Sequence, residues 1–325
     1  MKEDDEENYI EAKQEISEIK PMIINASPRA ENVVGKARLF IDDFLTSIET
    51  EGIYRTMGVS PEKTFLLYGP PGTGKTMALN AINNEANKKV FQKVLENNGA
   101  KITTDDVNLF VFPYDIGKYG TAYINMGSKR IQTFFDVAGT YAKFGKKVLI
   151  VLDEADSVVS SRQGSVQSHA EDRKVLETIM KNIQIAHDTP NMYVALMTNL
   201  PEICDDAVLR AGRIDRKYEF TLPTMEERVL GYKHSIDMIN KRAGYVVVRG
   251  YDAQKLAEMS NGFSYSDINQ SAENAVKLRA KQVTYNKTKG VITAAYIKQS
   301  RLEDAVKQHA TEFKKTQHRK IGFLQ

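Results

Sequence analysis

Five short apolar runs punctuate the chain: TFLLY at 64–68, VNLFVF at 107–112, KVLIVL at 147–152, MYVALM at 192–197 and KYEFT at 217–221. Runs this short, rich in β-branched and aromatic residues, predict strands buried on both faces. Between them the apolar positions recur at helical spacing. KARLFIDDFLTSIE sets Phe40, Ile41, Phe44, Leu45 and Ile48 on one face, and RIQTFFDVAGTYA and RKVLETIMKNIQ follow the same period. Strands alternating with helices predict an α/β fold, a parallel five-stranded sheet sandwiched by helices. After Pro223 the strand pattern stops. MEERVLGYKHSIDMINKR, YDAQKLAEMS, SYSDINQSAENAVKLRAKQ and a last stretch from about residue 293 then predict a small all-helical domain. The pattern divides the chain into an N-terminal tail and linker at 1–31, a large α/β domain at 32–223 and a helical domain at 224–325.

Composition narrows the classes. A length of 325 residues suits two domains, and 42% hydrophobic with 27% charged residues excludes fibrous and disordered chains. Forty-five Lys plus Arg against 42 Asp plus Glu leaves +3, too little for the basic field of a nucleic-acid coat. The lone Cys204 excludes an internal disulfide or a multi-cysteine metal site. No apolar run approaches the roughly 20 residues of a membrane span. The first twenty residues carry eight acidic side chains against three lysines and no apolar core, unlike a secretory signal or transit peptide, so a cytoplasmic location is expected. Residues 298–325 hold seven Lys or Arg against three acidic residues with few aromatics between them, the pattern of a solvated helix face rather than a nucleic-acid surface. The acidic head and basic tail are the places to expect an adaptor.

The chemistry concentrates after the first strand. GPPGTGKT at 69–76 fits G-x-x-x-x-G-K-[ST] and lies between a buried strand and an apolar-periodic helix. Glycines at 69, 72 and 74 let the backbone curl so that successive N–H groups and the helix N-terminus face the phosphates, and Gly69, Pro70, Pro71, Gly72, Thr73, Gly74, Lys75, Thr76 and Met77 form the expected nucleotide-binding stretch. Lys75 is placed to reach the β and γ phosphates of ATP, and the Thr76 hydroxyl to ligate Mg²⁺. The strand KVLIVL ends in Asp153-Glu154, which sets two carboxylates beside the phosphate loop if the two strands are neighbours. Asp153 then serves the metal, and Glu154 the attacking water.

With these motifs the chain resembles the AAA ATPases in the narrow sense, the group of katanin, spastin and valosin-containing-protein-like machines, over residues 32–310. The resemblance implies a P-loop NTPase domain followed by a helical lid, and roles for further residues. MTN at 197–199 is similar to the sensor 1 strand, which implies that Asn199 positions the lytic water. AVLRAGRIDRKYEF at 207–220 resembles the second region of homology, in which Arg210 and Arg213 match arginines supplied to a neighbouring subunit's nucleotide; such fingers imply a ring, commonly a hexamer. YINMGSKRIQTFF at 123–135 resembles the first pore loop, with Tyr123 and Ile124 at the projecting positions, Asn125 where the family has Gly, and Tyr119-Gly120 as a competing alignment. His234, Val34 and Gly35 match positions that touch the nucleotide. GFSYSDI at 262–268 resembles the family turn GFSGADI, with Tyr265 and Ser266 in place of Gly and Ala, so the tyrosine either stacks on the base or obstructs it.

Two stretches depart from the family. The connection at about 84–105 is longer than usual and reads as an extended helix and a polar turn. IQIAHDTPNM stands where an Asp-Gly-Phe usually signals between subunits. The expected activity is Mg²⁺-dependent ATP hydrolysis coupled to remodelling of a protein substrate through a ring's pore. Other classes are a nucleic-acid-dependent loader, which the near-neutral charge disfavours, a dedicated activator of one enzyme, and a nucleotide-gated structural ring.

Overall fold

The computed structural model describes residues 33–90, 92, 106–117, 127–155, 166–200, 214–282 and 296–322. Its strands are β1 (Thr64–Tyr68), β2 (Leu109–Asp115), β3 (Lys147–Asp153), β4 (Met192–Thr198) and β5 (Arg216–Glu219). All pairings are parallel, in the order β2-β3-β4-β1-β5. The predicted α/β sheet is therefore present, with two shifts. β2 starts later and runs on through Pro113, an exposed residue on an edge strand where its missing N–H is tolerated. β5 ends at Glu219, and its exposed Arg216, Lys217 and Glu219 charge the opposite edge.

Among the described residues four helices cover the sheet: α1 (Gly35–Thr56), α2 (Lys75–Ala86), α3 (Gly127–Lys143) and α4 (Val166–Asp188). Strand alternation sorts the core onto two faces. Leu66, Phe112, Ile150 and Val194 point toward Ile131, Phe134, Val175 and Ile179 of α3 and α4. Phe65, Leu67, Val111, Leu149 and Tyr193 point the other way, toward Phe40, Phe44, Leu79 and Ile82 of α1 and α2. Each fully buried aliphatic or aromatic side chain contributes roughly 1.5–3 kcal/mol.

Two buried polar arrangements tie this layer together. At the N-terminal edge of the sheet Lys63, 1% exposed, pairs with Glu51 at 3.2 Å and donates to Thr189 O, while Tyr193 Oη donates to Glu51 Oε2. Burial alone would raise the Glu51 carboxyl, but Tyr193, Lys63 and Arg55 outweigh it and hold it below its usual range. Past α2, buried Asn87 donates to Leu109 O and accepts from the N–H groups of Asn108 and Leu109, fastening the start of β2. Helical residues continue at 88–90; residues 93–105 of the longer connection lie outside the described residues.

The chain divides into two compact units, one of residues 1–70 and 75–220, the other of 71–74 and 221–325. The second unit contains α5 (Met225–Ala243), α6 (Ala253–Met259), α7 (Tyr265–Gln282) and α8 (Gln299–Gly322). Thr224 and Glu227 form a reciprocal capping box at the start of α5, and Gly244 closes its end in the left-handed region. One parallel bridge, Val248 to Ile297, interrupts the purely helical character expected after Pro223. No described helix is long and apolar enough to cross a membrane.

The turn before α7 is held by Asp267, whose Oδ2 accepts from Ser264 N–H at 2.9 Å and Ser264 Oγ at 2.7 Å, while Oδ1 lies 3.0 Å from His309 Nε2 of α8. Burial raises the Asp267 carboxyl, but the bonds from Ser264 and His309 exceed that effect and keep it below its ordinary range. A depressed folded pKa contributes stability above the unfolded value of about 4, and that contribution is lost as pH falls through the folded value. Asp267→Asn should therefore lower stability near neutrality by about 1–3 kcal/mol and flatten the acid limb of a melting-temperature profile between pH 3 and 7. An unchanged acid limb in the variant would refute this.

Candidate functional site

Strand order decides which loops meet. β1 and β3 are not neighbours, contrary to the condition under which Asp153 was expected beside the phosphate loop; β4 lies between them. At about 4.8 Å per strand the two loops leave the sheet roughly 10 Å apart. The register closes part of that gap with backbone bonds, Gly69 N–H to Thr198 O at 3.3 Å and Ala155 N–H to Met197 O at 3.1 Å. Asn199, exposed, follows β4 between the two loops, and Thr198 Oγ1 accepts Leu200 N–H at 3.1 Å to turn the chain there.

The loop after β1 is bent as phosphate enclosure needs, with φ of +133°, +76° and +103° at Gly69, Gly72 and Gly74. Gly69 has a second reason to lack a side chain: a Cβ there would overlap the Phe220 carbonyl oxygen, because Phe220 N–H bonds to Tyr68 O at 2.8 Å and brings the two backbones together. Lys75 opens α2 and curls its ammonium back over the loop, donating to Gly69 O at 2.7 Å and Pro70 O at 3.0 Å. Thr76 is exposed at the same helix start, Thr73 is buried, and Met77 packs against the second core cluster. The tip, Pro71–Gly74, groups with the second unit, where Ser266 N–H donates to Gly72 O at 3.2 Å.

Asp153 ends β3 half-buried, and its Oδ1 accepts the N–H of Glu154 at 2.8 Å. That bond accompanies a left-handed backbone at Glu154, φ +53°, uncommon for a residue with a side chain. The exposed Glu154 thus leaves the strand at a sharp corner. Two residues missing from the sequence reading join this corner. Asp115, the last residue of β2, stands in register with Asp153, and Gly117 follows against the Glu154 carboxylate. Only a signal in three dimensions finds them, since PYDIG reads as a strand end and an ordinary turn.

Among the described residues no three His, Cys, Asp or Glu side chains gather to hold a metal by themselves. Thr76 and Asp153 offer oxygen alone, which fits Mg²⁺, an ion usually held by one or two protein oxygens together with phosphates and water.

In the remaining expected positions, Val34 is the extended residue before α1 and Gly35 its exposed first residue. His234 lies half-buried on α5, where burial holds its imidazole below the usual range despite Asp237. One turn earlier, Gly231 faces Tyr265 and Ile268: a Cβ at 231 would lie 3.5 Å from the tyrosine ring and 3.4 Å from Ile268. Tyr265 is thus packed on α5, and burial pushes its phenol up. Ser266 is exposed. Arg210, Arg213, Tyr123 and Ile124, with Tyr119 and Cys204, lie outside the described residues.

Comparison with known proteins falls on the same segment. Residues 65–222 match the model of the ATPase family associated with various cellular activities (AAA). The chain is similar to the 26S proteasome regulatory subunit 8 homolog of Schizosaccharomyces pombe, 31% identical over 66% of this chain and 46% of that protein. It is also similar to the 26S proteasome regulatory subunit 6B homolog of Encephalitozoon cuniculi, 28% identical over 76% and 56%. The proteasome-activating nucleotidase of Pyrococcus furiosus is 27% identical over 69% and 48%. The chain spans about half the length of these relatives. Because the family match runs from β1 through β5 and includes every loop at the sheet edge described above, residues 65–222 form a domain of the AAA ATPase family.

Proposed function

We propose that the protein hydrolyses ATP in a cytoplasmic homo-oligomeric ring, a hexamer, and uses the energy to remodel a protein substrate through the central pore. The observation that carries the chemical part is the strand order β3-β4-β1, which delivers Asp153-Glu154, Asn199 and the GPPGTGKT loop to one sheet edge. In this reading residues 32–223 are the ATPase domain, 224–325 the lid, and 1–31 a tail open to an adaptor.

The loop from Gly69 to Met77 wraps the phosphates with backbone N–H groups, and the Lys75 ammonium exchanges the Gly69 and Pro70 carbonyls for phosphate oxygens. Thr76 and Asp153 would hold Mg²⁺, which when bound would neutralise phosphate charge. Glu154 accepts a proton from the attacking water, and Asn199 orients that water. From the family resemblance, Val34 and Gly35 in the first unit, and His234, Tyr265 and Ser266 in the second, are each read as nucleotide contacts. Arg210 and Arg213 reach a neighbouring subunit's γ-phosphate, and Tyr123 and Ile124 grip the substrate.

The names of the relatives, proteasome regulatory subunits and a proteasome-activating nucleotidase, support a protein rather than a nucleic-acid substrate. Arg210→Ala tests the ring. ATP binding should survive and turnover fall by about 10³-fold or more, and mixing with a hydrolysis-dead subunit that keeps its arginines should restore part of the activity. Full turnover in the Arg210→Ala protein alone would refute supply from a neighbour. Stimulation by single-stranded DNA, with none by unfolded protein, would refute the protein substrate.

A further inference from the structure

We propose that Gly117 is a positioning residue for hydrolysis: its missing side chain provides the space in which the Glu154 carboxylate rests. The inference deepens the reading of Glu154 as the group that activates water, and rests on it. A Cβ at 117 would overlap Glu154 Oε2 and stand 3.4 Å from both Glu154 Cδ and Asp115 Oδ1.

The surroundings leave Glu154 little room to adjust at its base. Its N–H is bonded to Asp153 Oδ1 at 2.8 Å, its φ is +53°, and the next residue is tied by Ala155 N–H to Met197 O. Position 117 is anchored through the residues before it. Ile116, 1% exposed, is part of the first core cluster, and Asp115 is paired in register with Asp153. The corner at Glu154 therefore faces the end of β2, and the carboxylate occupies the gap that a glycine leaves. Asp115 and Asp153 bring further negative charge to this corner, so a carboxylate displaced from Gly117 meets like charge on the sides they occupy.

A methyl group at 117 meets the far end of a flexible side chain, not backbone. The fold can absorb that by rotating Glu154, whereas catalysis cannot, since a misplacement of about 1 Å at a reacting group costs on the order of 10²-fold.

The test compares Gly117→Ala, Glu154→Gln and the double variant in the full chain, measuring kcat, KM for ATP, ATP affinity and melting temperature. Gly117→Ala is expected to lower kcat by about 10- to 100-fold with KM, affinity and melting temperature unchanged, and to add no further loss in the Glu154→Gln background. If Glu154→Gln abolishes hydrolysis but Gly117→Ala turns over at the wild-type rate, the inference is overturned while the role of Glu154 stands. A parallel fall in melting temperature or ATP affinity, or an independent further loss in the double variant, overturns it as well. Normal hydrolysis by Glu154→Gln overturns the role of Glu154 and this inference with it.

Discussion

Glu154→Gln should bind ATP with wild-type affinity and lose turnover by about 10²–10⁴-fold, the usual contribution of a positioned general base. The amide keeps the size and reach of the side chain but cannot accept the proton of the attacking water. The backbone there is set by the Asp153 bond to the Glu154 N–H and does not depend on the side-chain charge, so the corner and the phosphate loop remain as they are. Steady-state phosphate release beside equilibrium binding of a fluorescent ATP analogue separates the two effects. The variant should also stall on its cargo, and mass spectrometry of co-purified material then reads the substrate class directly. Recovery of nucleic acid alone would overturn the proposed protein substrate, and hydrolysis within a few-fold of wild type would overturn the role of the carboxylate.

Lys75→Ala should instead lose ATP binding itself. In the structure the ammonium already donates to Gly69 O and Pro70 O, so it is held over the loop where phosphate oxygens would replace those carbonyls. Each charge-assisted bond to phosphate contributes roughly 1.5–3 kcal/mol, and losing two such bonds weakens affinity on the order of 10²–10⁴-fold. Calorimetric titration with ATP measures the loss. The two variants thus separate binding from chemistry, and a Lys75→Ala protein with unaltered affinity would remove the basis for assigning the phosphate loop.

Much of this was legible without coordinates because the signals are local. TFLLY, KVLIVL and MYVALM are continuous apolar runs, and a strand covered on both faces needs no partner to reveal itself in sequence. Helices α1, α3 and α5 follow from apolar spacing, and the loop GPPGTGKT from a pattern in which each residue type has a separate steric or electrostatic reason. The shifts at β2 and β5 have causes the pattern does not contain. Pro113 belongs to a strand only because β2 lies at an edge, and β5 starts and stops where its pairing with Phe65 to Tyr68 of β1 does. The bridge between Val248 and Ile297 joins residues 49 apart and has no local signature.

The sequence by itself determined the element types, the parallel α/β class followed by a helical unit, and the chemical inventory of lysine, carboxylates and glycine-rich loop, because backbone propensity and hydrophobic periodicity act over a few residues. The tertiary structure decided which of these meet. The insertion of β4 between β1 and β3, the left-handed corner at Glu154, the buried Asn87 that fastens β2, and the approach of Gly117 to the Glu154 carboxylate all depend on segments distant along the chain. Contacts of that kind are set by packing of the whole sheet and its covering helices, and no window of neighbouring residues encodes them.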